Sequence, residues 1–201
     1  SWNLYYRIAN FMNGDSTLAW YLFSQQNEAR PAVPRLILFL VHSVSRDLKI
    51  DVVLNVSSAV ATAGVTLLIL RKTNAGMSRL ALMGAAVFFN LNFFSLAQWQ
   101  NWNWQNQFIM LLPNLFFALG WLANLSSLRP LPRGALVSLC CALATFCFAN
   151  GIFQWLLVVP IAFGLRLKER ITLWSLHAGA AIICLTVYFI GYQTPPSQNP
   201  S

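Results

Sequence analysis

The stretch SQQNEARPAVPRL, residues 24 to 36, sets one carboxylate, Glu28, among neutral amides and guanidinium groups. Gln25, Gln26 and Asn27 precede it, Arg30 and Arg35 follow, and Pro31 and Pro34 stiffen the chain where an apolar run begins. A carboxylate held this way can act as a general base or bind a divalent ion, and arginines grip phosphate bidentately. The plain alternative is an exposed loop in which Glu28 pairs with Arg30 or Arg35.

A second stretch, AQWQNWNWQNQF at residues 97 to 108, has three tryptophans, four glutamines and three asparagines in twelve positions, without a charge. Trp99, Trp102 and Trp104 fit an interfacial aromatic belt, because indole is apolar in body and polar at one edge. The amides fit something further. They offer paired donors and acceptors to a hydroxyl-rich ligand, while a ring face can stack on the apolar face of a sugar. Belt and carbohydrate or headgroup surface both remain open readings.

The other acids have humbler settings. Asp15, in NGDS, has turn-like neighbours and can cap the following helix. Asp47 and Asp51 adjoin Arg46 and Lys49, which predicts local pairing, and Glu169 sits in the basic loop RLKER. His42 and His177 lack partners at metal-ligand spacing and read as structural. Cys140, Cys141, Cys147 and Cys184 lie in apolar runs and read as buried small hydrophobes. No metal-binding, nucleotide-binding or nucleophile motif appears, so enzymatic chemistry would run on carboxylates. Asn90, Asn92, Asn150 and Gln154 fall within or at the ends of apolar runs, where an amide serves either a structural hydrogen bond or a polar site. Sequons at Asn55 and Asn124 lie in or near spans and are discounted.

The elements that must position these groups belong to a membrane. Of 201 residues 57% are hydrophobic and 9% charged, which is far from the balance of a soluble domain. A crossing helix needs about 20 apolar residues. Residues 52–70, 80–97, 108–127 and 171–190 each qualify, and residues 134–165 read as two short helices meeting at FANGIFQW. Basic residues cluster in RKTNAGMSR, LRPLPR and RLKER, while the alternate turns are uncharged. By the positive-inside rule this predicts six spans with those loops in the cytoplasm. The net charge of +8 then sets orientation and does not imply nucleic acid. The expected architecture is an all-α polytopic transmembrane bundle over residues 52–190. It follows an outward-facing segment, residues 1–51, with interfacial helices, and ends in a polar tail, residues 191–201. LILFLVHSVSRDLKID is expected to lie in the interface or to run on into the first span.

QQNEARPAVPRL, SLAQWQNWNWQNQF and FANGIFQWLLVVP, in this order, resemble a group of bacterial polytopic membrane proteins related to GT-C-type glycosyltransferases. That group is expected to carry a QHNEHR-like segment followed by proline and PRL, and later a Q-x-x-N-W-x-W-x-x-Q-like loop. These map onto Gln26 to Arg30, Pro34 to Leu36 and Gln98 to Gln107. Here Gln26 and Ala29 stand where the group favours histidines, so no imidazole metal site carries over. GT-C enzymes place a catalytic acid just after a first transmembrane helix, and this chain is read as a fragment lacking that helix. The resemblance implies transfer of a sugar from a polyprenyl-phosphate donor to a glycan or lipid acceptor on the outer face of a bacterial inner membrane. Glu28 or Asp15 would be catalytic, with a divalent cation as an optional aid. Gln26, Asn27, Arg30, Arg35, Gln98, Asn101, Trp102, Trp104 and Gln107 would bind substrate. The alternative is a non-catalytic polytopic protein, either a transporter of lipid-linked substrates or a structural subunit.

Overall fold

In a computed structural model the protein is all-α, and among the described residues the single β-type pairing is an isolated bridge between Gln26 and Ala29. Residues 11, 13–14, 17–44, 47, 49–74, 76, 78–93 and 107–193 are described. The helices are α1 (Leu18–Phe23), α2 (Ala32–Val44), α3 (Lys49–Thr73), α4 (Arg79–Phe93), α5 (Gln107–Asn124), α6 (Pro130–Thr145), α7 (Gln154–Leu157) and α8 (Leu167–Phe189), with a 3₁₀ turn at Ala149–Phe153.

Helices α3, α5 and α8 are 25, 18 and 23 residues long and apolar enough to cross a membrane. The shortest reaches about 27 Å at ~1.5 Å per residue, close to the thickness of a bilayer's hydrocarbon core. The chain is an integral membrane protein, and its many exposed apolar side chains, such as Val60, Ile182 and Ile183, are suited to lipid. These helices coincide with the spans expected at residues 52–70, 108–127 and 171–190. The run 80–97 begins as α4, and its last residues lie outside the described ones.

Residues 134–165 depart from two short helices. α6 is one, but the chain returns through the 3₁₀ turn and the single turn of α7, and then runs non-helical from Val158 to Arg166. Pro160 has no N–H to donate and disfavours helix in the residue before it, and two β-branched valines precede it. The backbone polar groups of this non-helical leg need other partners. Three helices supply them. The Asn124 amide donates to Val159 O at 3.0 Å and accepts from Ile161 N–H at 3.0 Å, so it pairs with the leg as a neighbouring strand would. Arg133 donates to Ile161 O at 2.7 Å, and Trp174 Nε1 donates to Pro160 O at 3.2 Å.

The return leg brings the loop 166–170 back beside Arg129, at the opposite end of the molecule from Glu28. One core cluster, Leu38, Phe108, Ile109, Leu112 and Cys147, lies at the Glu28 end and holds α2 across α5. A second joins Ala123, Val137, Cys141, Trp155, Val158 and Cys184 between α5, α6 and α8. All four cysteines are buried thiols.

Buried polar groups tie the bundle. On α3, Asp51, Asn55, Ser58 and Thr62 recur every three or four residues and are all buried, which puts them on one face of the helix. Small side chains there let neighbouring backbones approach closely. Asp51 Oδ1 lies 3.0 Å from His42 Nε2, across the turn from α2. Asp47 Oδ1 accepts from Lys49 N–H at 2.9 Å at the start of α3. His177 bridges helices, with Nε2 3.2 Å from Trp155 O and Nδ1 2.9 Å from Ser138 Oγ. A carbonyl only accepts, so Nε2 carries the proton and Nδ1 accepts from the serine. Gly151 packs so tightly that a Cβ there would lie 2.0 Å from Ala144 O.

Candidate functional site

Glu28 is set by a turn whose shape follows from its neighbours. Gln26 and Ala29 exchange both backbone hydrogen bonds, at 2.8 and 3.0 Å, and close a two-residue loop of Asn27 and Glu28. Asn27 takes φ = +51°, a left-handed conformation that asparagine accepts far more readily than most residues. Glu28 is thereby carried at the exposed tip while Ala29, after it, is buried.

The base of the turn is clamped. Arg35 has no exposed surface. Its Nη1 donates to Tyr21 O, Leu22 O and Ser24 O at 2.9, 3.1 and 2.6 Å, and to Ser24 Oγ at 3.1 Å. Its Nη2 reaches Gln26 Oε1 at 3.3 Å. A guanidinium so placed faces the chain's own carbonyls. Burial pushes the Tyr21 phenol up to about 12 despite the opposing pull of Arg35, so the hydroxyl stays protonated and donates to Arg35 O at 3.3 Å.

Three further contacts fix the turn to the end of α8. Tyr188 Oη donates to Glu28 O at 2.8 Å. The Gln25 amide donates to Gln193 O at 2.6 Å and accepts from Gln193 N–H at 2.9 Å. Arg30 donates to Phe23 O at 3.2 Å and to Ile190 O.

Beside the tip lies an open cavity of about 310 Å³. One wall is the turn itself, from Gln26 through Ala29, together with Pro31; the others are Gln107, Ile109 and Met110 of α5 and Phe148 beyond α6. Glu28 and the amide residues Gln26, Asn27 and Gln107 thus share the cavity with the apolar Ile109, Met110 and Phe148 at the start of α5. Of the sequence-derived candidates, Gln26, Asn27, Glu28 and Gln107 come together here. Arg30 lines a separate hollow with Trp20, Phe23, Ile190 and Gln193, and Arg35 lines neither. Asp15, Gln98, Asn101, Trp102 and Trp104 lie outside the described residues, as do the side chains of Asn90 and Asn92. Among the described residues no three His, Cys, Asp or Glu side chains gather as a metal cluster.

Sequence reasoning missed Tyr188, Met110 and Phe148. Phe148 opens the quoted motif FANGIFQW, whose place at an uncharged turn was a usable signal. Tyr188 gave none, because its contact spans 160 positions.

Comparisons with known protein families, with curated proteins and with solved structures find no match.

Proposed function

We propose that the cavity beside Glu28 is a glycosyl-transfer site of the GT-C kind, acting on a polyprenyl-phosphate-linked sugar at the outer face of a bacterial inner membrane. The observation that carries this reading is the placement of an exposed carboxylate, held on a clamped turn, over a cavity with amides on one side and apolar side chains on the other. The motif resemblance supports it independently through the same residues, Gln26 to Glu28 and Gln107.

In this mechanism Glu28 takes the proton of the acceptor hydroxyl as its oxygen attacks the anomeric carbon. The bond from that carbon to the phosphate oxygen breaks, and the phosphate leaves with the electron pair through an oxocarbenium-like state. Gln26, Asn27 and Gln107 offer hydrogen bonds to sugar hydroxyls, and Ile109, Met110 and Phe148 flank the lipid side. Glu28→Gln should lower transfer by about two to four orders of magnitude. The test is transfer to a lipid-extract acceptor at matched expression, and near-normal turnover would remove Glu28 from the mechanism and move the role to Asp15.

The non-catalytic reading draws on a different feature, the contact of His42 with the buried Asp51 on the polar face of α3. A transporter would need those groups to move a substrate or proton. Its signature would be uptake or flipping lost in Asp51→Asn and kept in Glu28→Gln.

A further inference from the structure

At the end of the bundle opposite Glu28, the two loops LRPLPR and RLKER converge on a groove of about 460 Å³ lined by Arg129, Leu131, Pro132, Lys168, Thr172 and Leu173, among others. Together these loops bring five basic side chains and one acid, Glu169. Its Oε2 accepts from Arg166 N–H at 3.3 Å, and its carboxylate lines the same groove. Two of the cations are engaged: Arg133 donates to Ile161 O, and Arg170 lies 6.0 Å from the Trp174 ring. Arg129 and Lys168 are different. Both are exposed, and their side chains make no hydrogen bond or ion pair among the described residues. Helices α6 and α8 both start at this groove, so their positive ends add to the same field. Leu131, Leu167 and Ile171 on these first turns are exposed.

We propose that this groove holds the headgroup of an anionic phospholipid from the leaflet at that end, with its phosphate between Arg129 and Lys168 and its acyl chains along Leu131 and Ile171. The chemistry is that of basic pockets between membrane helices, where phosphate meets paired cations at headgroup depth and apolar side chains continue below. It does not depend on what the Glu28 cavity does, because the two sites lie at opposite ends of α8.

Native mass spectrometry of the full chain in a neutral detergent tests it, titrating phosphatidylglycerol against phosphatidylcholine of the same acyl chains. Phosphatidylglycerol should bind about tenfold more tightly, and Arg129→Gln with Lys168→Gln should abolish the preference, on the order expected for two basic residues at a membrane surface. Arg71→Gln with Lys72→Gln, in the last turn of α3, should change it less than about twofold. Equal binding of the two lipids overturns the proposal, as does an equal loss in both double variants. Inorganic phosphate displacing the lipid at millimolar concentration also overturns it, in favour of a soluble anion. Should the double variant misfold, Glu169→Gln carries the test. Removing the lone acid should tighten phosphatidylglycerol about two- to threefold, and no tightening overturns the assignment.

Discussion

The Tyr188 hydroxyl donates to the Glu28 carbonyl oxygen at 2.8 Å, so the last turn of α8 holds the backbone of the residue proposed as base. Tyr188→Phe removes this bond and leaves the ring's packing against Phe146 and Phe189 in place. The loss should be about 1 kcal/mol, read as roughly fivefold faster amide hydrogen exchange over residues 26–30. Unchanged exchange there would show that the bond does not hold the turn.

Asn27 has a conformational duty that can be separated from any substrate contact. At φ = +51°, Asn27→Ala should cost about 1 kcal/mol, whereas Asn27→Gly should be nearly neutral in thermal melts. If the amide also binds substrate, both variants lose transfer activity alike. If its role is conformational, the glycine variant keeps it.

Removing Asp51 should be among the most damaging single changes. Its side chain is 1% exposed and its partner His42 11%, and leaving a largely buried hydrogen-bonding group without its partner costs about 1–3 kcal/mol. Asp51→Asn, which keeps an acceptor, should cost less. Denaturant titration in a fixed detergent would measure both. A cost for Asp51→Ala no larger than that of the exposed Val53→Ala would mean that the pair is dispensable.

Asn124 should matter for the same physical reason. Asn124→Ala leaves Val159 O and Ile161 N–H without these partners, at about 1–3 kcal/mol for each group. Trp174→Phe removes one bond and should cost about half as much. Faster exchange of the Ile161 amide in Asn124→Ala is the direct readout, and an unaltered rate would contradict the pairing.

The helices were legible because long apolar runs admit few other forms. The turn before α2 was legible as a place of chemistry because amides, acid and prolines crowd together. Exposure was not legible. Arg30 and Arg35 read alike in sequence, yet Arg35 faces carbonyls of its own segment and Arg30 binds the far end of α8, because both depend on contacts with chain that spacing does not encode. The return leg failed for a related reason. VVPIAFG is as apolar as a short span, and only Pro160 and distant side chains decide that it is not one. Asn124, set aside as a sequon, is one of those partners.

That leg also bears on how the protein is made. A segment whose carbonyls and N–H groups need Asn124, Arg133 and Trp174 cannot partition into lipid alone as a finished helix can. Its polar groups find all of these partners only once α5, α6 and the start of α8 are together.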